Sequence, residues 1–186
     1  MPRIKGSLLL GALKFVKHAQ VPGGIPAVIA SLPPAPAATF ASPVLASEWY
    51  PYDAYRELLR AIDRAAGRGD LAVMATLGRF AARQDLAGVF KVISVLASIP
   101  RILQSSSVFW SRYCDAGTFE ILDLAADRGT GRITGFPEIA AEHEAMLVGW
   151  IEGMGIAAGA RTATVELAAS VHRGDPHTEL RMRWSS

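Results

Sequence analysis

Four histidines, at positions 18, 143, 172 and 177, are the side chains in this sequence best suited to holding a metal or moving a proton. His172 and His177 flank one turn, with Glu179 just beyond it. Zinc and similar ions take nitrogen and sulfur ligands that converge tetrahedrally. Two histidines on a hairpin with no cysteine beside them supply at most a partial, exposed site, so they are expected to be surface turn residues and not a metal centre. Glu142-His143-Glu144 has the residue types of acid–base work. Successive residues on a helix point about 100° apart, so these three do not converge on one substrate atom. Two glutamates near a helix N-terminus instead complement its dipole.

Cys114 is the one cysteine, which rules out a disulfide within the chain and a four-thiolate zinc site, and fits a reducing compartment. With no histidine beside it in sequence, it is expected to be a buried, inert thiol. Ser105-Ser106-Ser107 lacks the Gly-x-Ser-x-Gly elbow, and neither Gly-x-Gly-x-x-Gly nor a Walker-type Lys-Ser/Thr occurs. Arg173-Gly174-Asp175 is expected to be a turn. These motifs assign no catalytic residue, no metal ligand and no cofactor.

Aromatic and methionine side chains offer more. Phe80, Phe90, Phe109, Trp110, Tyr113, Met146 and Trp150 all fall on expected helices. On general grounds most such residues belong to a core. Helices packed on a small sheet also leave apolar pockets, the usual form of a ligand site. These seven are therefore the candidate ligand-binding residues. Gly149, Gly153, Gly155 and Gly159 share one helix. Each costs up to about 1 kcal/mol relative to alanine, so something is expected to approach closely: the sheet, a ligand or a partner helix.

The elements that must position these residues follow from periodicity. Ile4 to Ala19 has helical spacing; Pro22 and Gly23-Gly24 punctuate the chain before the apolar stretch Ile25 to Leu32, and Pro33 to Pro43 is a loop or broken turn. A helix beginning near Pro51 places Tyr55, Leu58, Leu59 and Ile62 on one face, and Arg56, Glu57, Arg60, Asp63 and Arg64 on the other. Gly67 and Gly69 end it, and Asp70 caps the next helix, which runs to about Gln84. Further helices are expected over Leu86 to Ser98 and Ile102 to Tyr113, with Pro100 between them.

After Gly117 the character changes. Phe119 to Leu124 and Arg132 to Gly135 read as strands around an Asp127-Arg128-Gly129 turn, and a helix covers Ile139 to about Ala158. Ala163 to Val171 and Glu179 to Trp184 both alternate, with Leu167, Leu180, Met182 and Trp184 on the apolar side. A shared buried face pairs Val171 with Leu180, Ala169 with Met182 and Leu167 with Trp184, leaving Gly174 to His177 as the turn and His172 opposite Glu179. A register two residues tighter competes, pairing His172 with His177.

The expected fold is thus α+β: one domain over residues 1–186, with a helical half (1–116) packed on a small antiparallel sheet formed by the hairpin-helix-hairpin of 117–186. The 186 residues suit one domain, and 51% apolar against 19% charged residues suffices for a core. A net charge of +2 does not make a nucleic-acid surface. No stretch reaches about 18 uninterrupted apolar residues, and Lys91 interrupts the nearest candidate; a cytoplasmic location is expected.

The C-terminal third resembles the 4-vinyl-reductase-like domain. The matching residues are Gly117-Thr118-Phe119-Glu120, Gly135-Phe136-Pro137, Gly149-Trp150-Ile151-Glu152-Gly153 and Arg173-Gly174-Asp175-Pro176. The whole chain is also similar to a myxobacterial paralogous family, through Ser47-Glu48-Trp49-Tyr50-Pro51, Phe109-Trp110-Ser111-Arg112-Tyr113 and Leu180-Arg181-Met182-Arg183-Trp184. The resemblance implies a fold shared with heme nitric-oxide sensors and Golgi transport-particle subunits, whose members bind small or apolar ligands or dimerise. Many such relatives carry cysteines where this chain has Ser170 and Thr178. The heme sensors need an axial histidine on a helix and a Tyr-x-Ser-x-Arg motif; that motif is absent, and His18 and His143 are the helical histidines.

Three functions are consistent with these residues. One is a non-enzymatic sensor with an apolar ligand pocket coupled to dimer or partner contacts. The others are a closed-core interaction module and an enzyme related to tetrapyrrole vinyl reduction. A cavity discriminates the first two.

Overall fold

The computed structural model describes residues 1–87, 99–104 and 106–185. The chain is α+β, as its periodicities imply. Strand β1 (Arg3–Lys5) pairs antiparallel with β2 (Trp49–Pro51), and between them run helices α1 (Gly6–His18), α2 (Gly24–Ala30) and the short α3 (Pro34–Ala38). The α3 turn occupies part of the stretch expected to be loop. Its prolines are tolerated because they stand in the first turn, where their missing N–H groups are not needed.

Helix α4 (Tyr52–Ala66) begins immediately after Pro51 and buries Tyr55, Leu58, Leu59 and Ile62. On its outer face Arg60 donates to Glu57 at 2.9 Å. Asp63 departs from expectation: it is buried and accepts the Leu71 N–H at 3.2 Å, holding the bend into the next helix where Leu71 takes a left-handed φ of 66°. Helix α5 (Ala72–Ala87) is capped by Asp70, whose carboxylate accepts the Ala72 N–H at 3.1 Å. The helix expected over Leu86 to Ser98 lies, from residue 88 onward, outside the described residues, and so does Phe90.

Two short helices follow, α6 (Ile99–Gln104), with Pro100 in its first turn, and α7 (Ser106–Tyr113). The N-terminus ties onto the end of this region. Ile4 bridges Cys114, and Arg3 pairs with Asp115 at 2.7 Å.

The C-terminal part is a hairpin, a helix and a hairpin: β3 (Thr118–Leu124), β4 (Arg128–Thr134), α8 (Ala141–Ala157), β5 (Thr162–Ala169) and β6 (Thr178–Ser185). The four strands form one antiparallel sheet in the order β3-β4-β6-β5. Phe119, Ile133, Leu180, Met182 and Trp184 are buried on its inner face.

The register of the last hairpin corrects the expectation. Leu167 pairs with Leu180, Val165 with Met182 and Ala163 with Trp184, four residues from the expected pairing and beyond its two-residue competitor. Val171 is not in the strand at all. The connection is longer, with a 3₁₀ turn over Val171–Arg173 and Gly174 at a left-handed φ of 91°. The reason is Glu144 on α8, fully buried, whose carboxylate accepts the Ser170 hydroxyl (2.5 Å), the Val171 N–H (3.2 Å) and the Thr178 hydroxyl. Those three bonds exceed what a tighter turn would offer. Glu179 therefore faces Ala169, and it binds Arg132 at 2.8 Å while His172 lies exposed.

Candidate ligand cavity

The approach of α5 and α8 sets the interior. At Gly78 and Gly149 the two backbones touch: a Cβ on Gly149 would fall 1.9 Å from the Ala75 carbonyl oxygen, and one on Gly78 would fall 2.0 Å from that of Met146. Gly153 meets Ala82 and Arg79 of α5, whereas Gly155 meets Ala163 of the sheet. Close approach is thus the role of three of the four glycines. Gly159, with a φ of 99° and open space around it, serves the turn after α8.

Beside this seam lies a cavity of about 310 Å³, bounded by α1, α5, α6, α7, α8 and the inner face of the sheet. Of the seven side chains picked out in sequence, Phe109, Trp110, Tyr113, Met146 and Trp150 line it. Phe80 does not: it is buried elsewhere, edge-on to Phe15 at 5.6 Å between centroids and stacked with His18 at 4.7 Å. Leu77, Met154, Met182 and Trp184 also line the cavity without having been picked out, as do the polar residues Tyr55, Asp85, Cys114 and His143. The alternation of β6 already placed Met182 and Trp184 on the inner face, which was signal enough for those two.

The polar groups are subdued by burial. Glu142, His143 and Glu144 diverge as adjacent helical residues must: Glu142 takes Arg60 at 2.9 Å, Glu144 holds the last loop, and His143 meets Tyr52. Ala140 N–H donates to the Tyr52 hydroxyl oxygen at 2.9 Å, and the same hydroxyl is hydrogen-bonded to His143 Nδ1 at 3.2 Å. Burial pushes the His143 imidazole down to about 3, so the ring is neutral. Burial, aided by Asp115, pushes the Cys114 thiol up to about 12, as expected of an inert cysteine. Asp85 accepts the Trp150 indole N–H at 2.9 Å, and burial raises its carboxyl above the ordinary range.

The lining does not fit a heme. Heme iron is held by a histidine nitrogen, a thiolate, a tyrosinate, or a methionine beside a histidine. Among the described residues His143 is the sole histidine in the wall, and its buried ring is enclosed by Tyr52, Tyr55, Trp110 and Phe136, which leaves no approach for a porphyrin. Burial raises the Cys114 thiol and the Tyr55 phenol above their ordinary values, which disfavours the thiolate and the phenolate. Residues 88–98 and Ser105 contain no histidine, cysteine, tyrosine or methionine, so they supply no alternative. His172 and His177 are far from this role; His177 stands 3.8 Å from Glu179 on the last hairpin.

No protein-family model and no curated protein matches the chain. Solved structures do. An H-NOX protein from S. oneidensis in its Fe(II)NO ligation state has a TM-score of 0.72 at 10% identity, covering 98% of this chain and 100% of that one. An oxygen-binding H-NOX domain related to soluble guanylate cyclases scores 0.68 at 13% identity, covering 98% and 96%. An H-NOX structure used to probe heme distortion scores 0.73 at 13% identity, with the same coverage. At such identities the likeness is one of fold. The chain has the fold of H-NOX domains, and among the described residues the one histidine of its own cavity wall is shut in by aromatic rings.

Proposed function

We propose that this chain is a non-enzymatic, ligand-sensing domain of the 4-vinyl-reductase-like class, within the myxobacterial family it resembles. In this reading residues 1–186 act as one cytoplasmic domain. A small apolar molecule fills the cavity between helices and sheet, and occupancy changes contacts with a second copy or a partner protein. Phe109, Trp110, Tyr113, Met146 and Trp150 bind it, and Phe90 is assigned with them from sequence alone. The observation that carries the reading is the cavity itself, about 310 Å³ with a mostly apolar wall, where a purely structural module would have closed its core. The fold adds support, since the similar H-NOX proteins are known with small ligands, NO and oxygen.

Native mass spectrometry of the purified protein tests this. A co-purified apolar molecule, lost on extraction with organic solvent, is the expected result. Protein that carries none, and whose melting temperature no apolar additive raises, would identify the closed interaction module instead.

A further inference from the structure

We infer that the cavity selects an apolar ligand bearing an amine, whose ammonium group sits on Asp85; this rests on the ligand-sensing reading above. Asp85, near the end of α5, is among the described residues the one carboxylate in the cavity wall. One of its oxygens accepts the Trp150 indole N–H, and among the described residues the other has no hydrogen-bond partner. Among the described residues the cationic side chains of the wall are Lys14 and Arg183, both exposed, and Asp85 forms no ion pair. Lys14 acts on it only at longer range.

A half-buried carboxyl facing an apolar space is unfavourable while it lacks a counter-charge. An ammonium on the open oxygen supplies that charge and leaves the Trp150 bond intact. The aromatic surroundings add to this, because ring faces attract cations. Tyr55 and Tyr113 are near enough that, after burial, the Asp85 charge further raises both phenols. The same charge repels a carboxylate head, so a fatty-acid-like ligand is disfavoured. A hydroxyl lies between the two, able to donate a hydrogen bond without neutralising the charge. Helix contact fixes this geometry, since a Cβ on Gly78 would come within 2.6 Å of the Trp150 backbone nitrogen and force α8 away from α5.

Octylamine, octan-1-ol and octanoate share one tail and differ in head group. Their binding to the full chain at pH 7 is read by calorimetry and by tryptophan fluorescence, as Trp110, Trp150 and Trp184 all line the cavity. Octylamine is expected to bind at least about 10-fold more tightly than the other two, a ratio worth about 1.4 kcal/mol. Asp85→Asn keeps an acceptor for Trp150; it should bring octylamine to the level of octan-1-ol and leave octan-1-ol unchanged. If octan-1-ol binds but octylamine shows no preference, or keeps its preference in Asp85→Asn, this inference fails and the cavity reading stands. If none of the three binds, both fail. Should Asp85→Asn not fold, the wild-type ranking decides, and octylamine level with or below octanoate overturns the assignment.

Discussion

His143 is packed between Tyr52, Tyr55, Trp110 and Phe136, with ring centroids 5.3 to 6.5 Å away. An imidazole so enclosed refuses a proton that the unfolded chain accepts near pH 6.5. With the folded value at about 3, stability is full above roughly pH 6.5 and declines as pH falls toward 3, by about 1.4 kcal/mol per pH unit. Below 3 the folded protein also takes up the proton and the decline stops. Urea unfolding at pH 7 and pH 5 should show the wild type losing about 2 kcal/mol more than His143→Gln over that interval. Equal losses in the two proteins would mean that the ring is hydrated and titrates freely. The raised carboxyls of Asp63 and Asp85 titrate in both proteins and cancel in the comparison.

Between elements, the α5–α8 contact makes two glycines behave in opposite ways. Alanine is the better helix former by up to about 1 kcal/mol. At Gly149 that gain is overwhelmed, because the new methyl would meet the Ala75 backbone and the helices would have to part. Gly149→Ala should destabilise by about 2–3 kcal/mol or more. At Gly11, within α1, a methyl would find nothing within 4 Å beyond its own helix, so Gly11→Ala should stabilise by about 0.5–1 kcal/mol. Chemical denaturation of both variants checks the pair. A Gly149→Ala protein as stable as the wild type would mean that the helices are not in backbone contact. The same contact sets the cavity's width, so Gly149→Ala should also weaken any ligand that needs the Trp150 wall.

At the scale of the molecule, fold and ligand chemistry separate. The chain shares its fold over 98% of its length with an H-NOX protein, yet among the described residues the one histidine of its cavity wall is buried between aromatic rings. Purified protein titrated with hemin should therefore show no saturable one-to-one Soret band of the histidine-ligated kind. A stoichiometric band that disappears in His143→Gln would reverse that conclusion and make His143 an axial ligand. Function on this fold is decided by the few side chains that face the cavity.

The α+β class, the buried face of the last strand, the Asp70 cap and the amphipathic face of α4 were all legible in the residues. Each depends on neighbours within a few positions, and spacing of that range is written directly into the chain. So was the supply of aromatic side chains that reach the cavity, Phe109, Trp110, Tyr113 and Trp150 among them. The hairpin register was not legible, because its partner, Glu144, lies 26 to 34 residues away from the groups it binds. Neither was the burial of Asp63, the polar set around His143, or the void beside Asp85. These depend on how far apart two helices come to rest, and that distance was set by glycines whose contacts, Ala75 and Met146, are local to neither helix alone. Periodicity says which side of an element turns inward; the shape and charge of the space it turns toward arise only when distant segments meet.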